Sequence, residues 1–297
     1  MPEPARTSPL PDLLLTALAP MIWGSTYVVA SQLLPDFSPL TVAMLRALPA
    51  GLILLLFSRQ LPQGIWWARI LLLGALNFSI FWSLLFVSAY RLPGGVAATV
   101  GATQPLLVVL LAAPLLGQPL RPRSMLAALG GMTGVALLVL NADARLDPMG
   151  LLAGLGAAAS MALGTVLSRR WQPPVPLLSF TAWQLSAGGL LLAPIVWLFA
   201  PPTPALTTSS LLGLGWLCLI GAALSYLLFL RGLARIDTAV VASLGFLSPV
   251  TAVILGWLLL DERLGPWQMA GAMLVLLSIG WGQRTVSEHR KTAPLER

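Results

Sequence analysis

The chain has 297 residues, of which 57% are hydrophobic and only 9% are charged, and it carries a net charge of +7. So few charges could not cover the surface of a soluble protein of this length, so the solvent implied by the composition is lipid. Nearly all the basic residues fall in short segments between apolar runs, where membrane orientation explains them better than a nucleic-acid partner does. The single cysteine, Cys218, excludes an internal disulfide framework and a cysteine-rich metal site.

In chain order, ten apolar segments of about 17–25 residues are each able to span a bilayer. They are predicted near Leu13–Leu33, Pro39–Phe57, Trp66–Tyr90, Gly95–Leu116, Met125–Asn141, Met149–Arg169, Leu178–Ala200, Ser210–Arg231, Thr238–Leu260 and Pro266–Trp281. The first is read as a span and not a signal peptide: Glu3 and Asp12 spoil a basic leader, and the apolar run continues past Ala17-Leu18-Ala19. Connections such as Arg91-Leu92-Pro93-Gly94 and Asp261-Glu262-Arg263-Leu264 are short, so neighbouring helices run antiparallel. With the N-terminus inside, thirteen Arg and Lys residues lie on the cytoplasmic side; three, Arg91, Arg145 and Arg263, lie on the other. The positive-inside rule therefore predicts N-in and C-in, which an even number of spans allows.

The chain also repeats itself. Arg91–Pro122 aligns with Arg235–Pro266 without a gap at an offset of 144, and 11 of the 32 pairs are identical. Matched residues include Arg91/Arg235, Gly101/Gly245, Pro105/Pro249 and Pro122/Pro266, and the same offset pairs Trp82 with Tyr226. Upstream, an offset of 138 matches Gly51 with Gly189, sets Trp23 opposite Met161 and sets Arg46 opposite Gln184. The difference falls in the proline-rich loop Pro201-Pro202-Thr203-Pro204, where an insertion is easily tolerated. Five helices per repeat is an odd number, so the second copy enters the membrane upside down. The expected architecture is all-α: two inverted five-helix repeats around a central cavity, the plan of secondary transporters. Residues 1–12 form a cytoplasmic N-terminal segment, 13–145 and 146–283 the repeats, and 284–297 a cytoplasmic tail.

Pro105 and Pro249 lack the N–H that would bond the carbonyls of Gly101 and Gly245. In hydrocarbon a freed carbonyl is costly unless it faces a cavity or finds a donor. The pair reads as hinges with cavity-facing acceptors, or as ordinary kinks repaired by the hydroxyls of Thr103 or Ser248.

Four features taken together are similar to the EamA-type branch of the drug/metabolite transporter superfamily. They are Trp23-Gly24-Ser25-Thr26 in the first helix, Arg46 in the second, the paired Gly-x-x-x-Pro, and Trp257–Leu264 (W-L-L-L-D-E-R-L). The resemblance covers nearly the whole chain. It implies a basket of ten helices with helices one, three, four, six, eight and nine around a cavity, and the export of amino acids or other small metabolites. The relatives suggested by size and layout are aromatic amino acid exporters of the YddG type.

Candidate cavity residues follow from polarity at membrane depth. In the third helix, Ser79 and Ser83 share one face with Phe86 and Tyr90, either lining the cavity or bonding neighbouring helices. Asn77 and Gln104 are costly amides in a span, Thr99 and Thr103 share a face of the fourth helix, and Ser243 repeats Thr99 in the ninth. The matched pair Trp82 and Tyr226 would suit a flat apolar substrate, Trp23 is a further cavity candidate, and Gly101 and Gly245 supply backbone acceptors. Arg46, a charge well inside a span, either holds a substrate carboxylate or snorkels to the outer interface or bonds helix-end carbonyls.

No Asp, Glu or His lies within a predicted span, no ATP-binding loop is present, and no nucleophile–base set is visible. The sequence thus predicts a carrier without enzyme chemistry, cofactor or metal, working by facilitated diffusion in the inner membrane. A monomer suffices, although the sequence leaves the oligomeric state open. The alternative class is a non-transporting scaffold or a lipid-handling protein.

Overall fold

In hydrocarbon every backbone N–H and C=O has to be bonded within the protein, and a helix achieves this locally. A computed structural model describes residues 9–92, 100–139, 147–259 and 265–292, and among these residues there are helices and no strands. The first half contains α1 (Pro9–Leu33), α2 (Pro39–Ser58), α3 (Trp66–Gly74), a π-helical segment π1 (Ala75–Ser79) and α4 (Ile80–Arg91). It continues with α5 (Gln104–Leu116) and α6 (Pro122–Val139). The second half contains α7 (Pro148–Arg170), α8 (Leu177–Phe199), α9 (Thr208–Gly215), a second π-helical segment π2 (Trp216–Leu224) and α10 (Ser225–Arg235). It ends with α11 (Thr238–Leu244), α12 (Leu247–Leu259) and α13 (Pro266–Thr292).

Helix ends follow local chemistry. Pro39 and Pro148 stand at first-turn positions, where a missing N–H breaks no helical bond. Asp147 caps α7 by accepting from the N–H groups of Met149 (2.8 Å) and Gly150 (3.1 Å), and Asp237 caps α11 through the Ala239 N–H. The Gly150 N–H above all, helped by the Met149 N–H and the Arg91 guanidinium, holds the Asp147 carboxyl below the usual carboxylate range despite an opposing desolvation. Asp12 pairs with Arg231 (2.6 Å) and Arg235 (3.4 Å), and Arg121 pairs with Asp237 (3.2 Å), tying helix ends together.

Among the described residues, seven stretches are long and apolar enough to cross a membrane: Leu10–Leu33, Pro39–Ser58, Trp66–Ser88, Pro148–Arg170, Leu177–Phe199, Thr208–Arg235 and Thr238–Leu259. They correspond to seven of the ten expected spans. The expected fourth span is described only from Val100 onward, and α5 is apolar but shorter. Leu56, Phe57, Trp197 and Phe199 are 70–83% exposed, while Thr16, Thr41, Asn77 and Gln184 are buried. Such an inside-out distribution fits a lipid surround.

Close packing uses small residues. α2 lies against α8, and a Cβ on Gly51 would come within 2.3 Å of the Ser186 nitrogen, while one on Gly189 would meet Leu48 Cα at 2.6 Å. α6 pairs with α13, α4 with α7, α1 with α10, α5 with α7, and α1 with α12. The expected third span is interrupted by π1 and the expected eighth by π2. Likewise, helix is broken at Ala102–Thr103 before α5 and at Gly245–Phe246 before α12.

Candidate functional site

Five rings from α1, π1, α4 and α10 meet at the centre of the bundle. Trp23 lies 5.1 Å from Tyr226 and 5.2 Å from Phe229, Phe78 lies 4.8 Å from Tyr226, and Trp82 lies 5.3 Å from Phe78, all between centroids. Trp82 and Tyr226 are buried, and Trp23, Phe78, Trp82 and Tyr226 sit in a cluster with Ala47, Ala50, Leu185 and Cys218 from the flanking helices. Tilted and edge-on contacts are the favourable arrangements for such rings. Of these rings, the sequence singled out Trp23, Trp82 and Tyr226; Phe78 and Phe229 complete the cluster.

The polar atoms around the rings have definite partners. The Trp23 indole N–H donates to Ser225 Oγ (2.9 Å), and Ser225 Oγ donates to the Gly221 carbonyl (2.8 Å). Arg46 Nη2 donates to the same carbonyl at 2.7 Å, and the guanidinium lies over Trp82 at 5.1 Å from its centroid. Snorkelling is therefore overturned. The Arg46 side chain is buried and turns into the bundle, because a carbonyl and an aromatic face are within reach.

Asn77, in π1, donates from Nδ2 to Gln184 Oε1 (2.8 Å) and Ser168 Oγ (3.2 Å), joining π1 to α8 and α7. Ser79 donates to the Gly188 carbonyl (2.9 Å) and Ser160 to the Leu76 carbonyl (2.8 Å), so π1 is anchored from both sides. Ser83 Oγ is enclosed without a hydrogen-bond partner. Thr103 Oγ1 donates to the Val100 carbonyl (2.7 Å), while Ser243 Oγ donates to Val240 (2.8 Å). The Gly245 carbonyl accepts the Ser248 N–H (3.1 Å), so the local repair there uses a backbone N–H and not the Ser248 hydroxyl. The Gln104 side chain reaches toward Gly245, its Oε1 lying 3.9 Å from where a Cβ would stand, whereas Gly101 faces open space. Thr99 lies outside the described residues.

A cavity of about 10 Å³, room for roughly one water, sits between α5, α6 and α11 and is lined by Pro105, Ser124 and Ser243 among others. It is away from the rings, which touch one another. Among the described residues no three His, Cys, Asp or Glu side chains are grouped as for a metal.

A bundle of long apolar helices enclosing an aromatic and polar centre defines a multi-pass membrane protein with the build of a carrier. The EamA-like transporter family model matches the chain twice, at residues 10–140 and 148–281, and the chain belongs to that family. It is similar to Protein PecM of Dickeya dadantii, with 42% identity over 282 residues covering 94% of this chain and 95% of that protein. It is also similar to the Uncharacterized inner membrane transporter YedA of Escherichia coli K12, with 28% identity and 88% of each chain covered. A solved crystal structure superposes with a TM-score of 0.81 at 22% identity, covering 95% of this chain and 99% of that one.

Proposed function

We propose that this member of the family is an inner-membrane carrier exporting small metabolites, neutral and aromatic amino acids foremost, by alternating access and facilitated diffusion. The observation that carries the reading is the ring cluster of Trp23, Phe78, Trp82, Tyr226 and Phe229, built from both halves beside two π-helical interruptions. The remaining helices also cross, giving ten spans in two inverted five-helix repeats, 13–145 and 146–283, with both termini in the cytoplasm. Several observations support this. One family model fits both halves. The interruptions π1 and π2, and the breaks before α5 and α12, fall at matched places. The pairings exchange when the halves are swapped: α4 with α7 answers α1 with α10, and α5 with α7 answers α1 with α12. The relative YedA is itself described as an inner membrane transporter.

Because the rings touch, substrate enters by separating them, so a flat aromatic side chain replaces ring–ring contact with ring–substrate contact. Trp82→Ala and Tyr226→Ala are expected to lower transport of phenylalanine about two- to tenfold more than that of threonine, as stacking contributes about 0.5–1.5 kcal/mol. Counterflow of labelled amino acids into proteoliposomes measures this; equal losses for both substrates would show that the rings only pack helices.

The predicted spans lack Asp, Glu and His, so no side chain in them is suited to carry a coupling proton. With equal substrate on both sides and an imposed pH gradient, proteoliposomes are expected to exchange substrate without accumulating it. Accumulation abolished by collapsing the gradient would reveal a coupling group and overturn facilitated diffusion.

A further inference from the structure

We propose that Arg46 and Gln184 are matched positioning residues, each pegging the π-helical segment of the opposite half, and that transport proceeds by releasing one peg at a time. This rests on the inverted-repeat carrier described above. Arg46 on α2 and Gln184 on α8 correspond at the offset of 138 and stand equally far into their helices, counted from Pro39 and Leu177. Their targets correspond as well: Gly221 in π2 and Asn77 in π1 match at the offset of 144. Arg46 donates to the Gly221 carbonyl at 2.7 Å, and Gln184 Oε1 accepts from Asn77 Nδ2 at 2.8 Å. So the first half's α2 holds the second half's π2, and the second half's α8 holds the first half's π1.

The mounting of the pegs is stiff, and what they hold is not. α2 and α8 pack closely at Gly51 and Gly189, where an added Cβ would meet the backbone of Ser186 and of Leu48 at 2.3–2.6 Å. A π-helical turn carries an extra residue within an α-helix, and such turns are frequent at functional sites. If the extra residue moves along the span, the side chains it passes turn to a new direction, among them Trp82 just after π1 and Tyr226 just after π2. The contact at π1 is also incomplete. Asn77 Oδ1 and Gln184 Nε2 are enclosed and have no partner in this conformation. Leaving a buried donor and a buried acceptor unmet is costly, so the contact at π1 is a weak one that a shift of π1 can release at little further cost.

Arg46 lies toward the outer end of its span and Gln184 toward the inner end of its own. Loss of the Arg46 peg therefore frees the outer side, and loss of the Gln184 peg frees the inner side. The test starts from Cys218→Ser, which removes the one cysteine of the chain. Reporters are added singly at the matched positions Ser83→Cys (outer half) and Leu227→Cys (inner half). Labelling by a membrane-impermeant thiol reagent is measured from each side of oriented vesicles. Arg46→Met is expected to raise outer labelling relative to inner about tenfold, Gln184→Leu to shift the ratio about tenfold the other way, and Arg46→Lys to return it toward the parent. Shifts in the same direction, or none, would make the two residues mere packing and overturn the proposal. If Arg46→Met does not give folded protein, Gln184→Leu and Asn77→Leu, which break the other peg from either end, must both raise inner labelling, and failure of either to do so has the same consequence. Opposite shifts in a protein that shows no counterflow of any amino acid would uphold the pegs while removing the proposed substrate class.

Discussion

A single methyl group added at Gly51 or Gly189 is expected to prevent the chain from assembling, although alanine is the better helix former. Replacing a mid-helix glycine by alanine favours the helix by about 1 kcal/mol. At Gly51 the new carbon would lie 2.3 Å from the Ser186 nitrogen and 2.8 Å from the Leu185 carbonyl carbon, and at Gly189 it would lie 2.6 Å from Leu48 Cα. These are backbone atoms, so no rotamer change relieves the contact. α2 and α8 would have to part along the interface that carries Arg46 and Gln184. Overpacking costs about 1–3 kcal/mol, and more when the neighbours cannot move, so the clash outweighs the helical gain. Gly101 is the control, since a Cβ there meets nothing within 4 Å. Extraction in mild detergent followed by size-exclusion chromatography should give little monodisperse protein for Gly51→Ala or Gly189→Ala and a normal peak for Gly101→Ala. Wild-type yield and thermal midpoint for both interface variants would refute this account of the packing.

That interface shows what the sequence could and could not disclose. The match of Gly51 with Gly189 was visible as repeat register, yet nothing local said that these glycines face each other's helices across one seam. In a helix that is apolar all round, the lipid-facing and protein-facing sides carry the same residue types. Small and polar residues are the marks of the inner side. Trp82 and Tyr226 could be picked out because the repeat aligns them, whereas Phe78 and Phe229 could not, since phenylalanine suits lipid as well as a core. Asn77 was conspicuous as an amide at membrane depth. Its partner Gln184 was visible only as the residue opposite Arg46. The π-helical turn π1 left no trace in composition: Ala75–Ser79 contains neither glycine nor proline. For Arg46 the sequence left a substrate carboxylate, snorkelling and a helix-end carbonyl open, because its partner, the Gly221 carbonyl, belongs to the backbone of a distant helix, and sequence carries no signal for that.

Restoring the helix at the paired breaks is expected to slow transport about tenfold without loss of folded protein. Before α5, the Val100 carbonyl is held by both the N–H and the hydroxyl of Thr103, at 3.1 and 2.7 Å. Before α12, the Gly245 carbonyl accepts from Ser248 because Pro249 has no N–H to offer. Both helices are thus tightened into short turns, and the Gln104 side chain from one break reaches toward Gly245 at the other. Pro105→Ala or Pro249→Ala supplies the missing donor and removes the ring that opposes a straight helix. A net hydrogen bond contributes about 0.5–1.5 kcal/mol, which at its upper end is about a tenfold bias toward the straight form. If the kinks merely fit the packing, the variants should be less stable and equally fast once folded. If the kinks are hinges, the variants should be at least as stable and slower. Measuring the thermal midpoint and the exchange rate on the same preparation distinguishes the two. Unchanged exchange in both variants would exclude a hinge at these prolines. Slowing accompanied by a raised midpoint is the result expected of a carrier whose two broken helices must bend in turn.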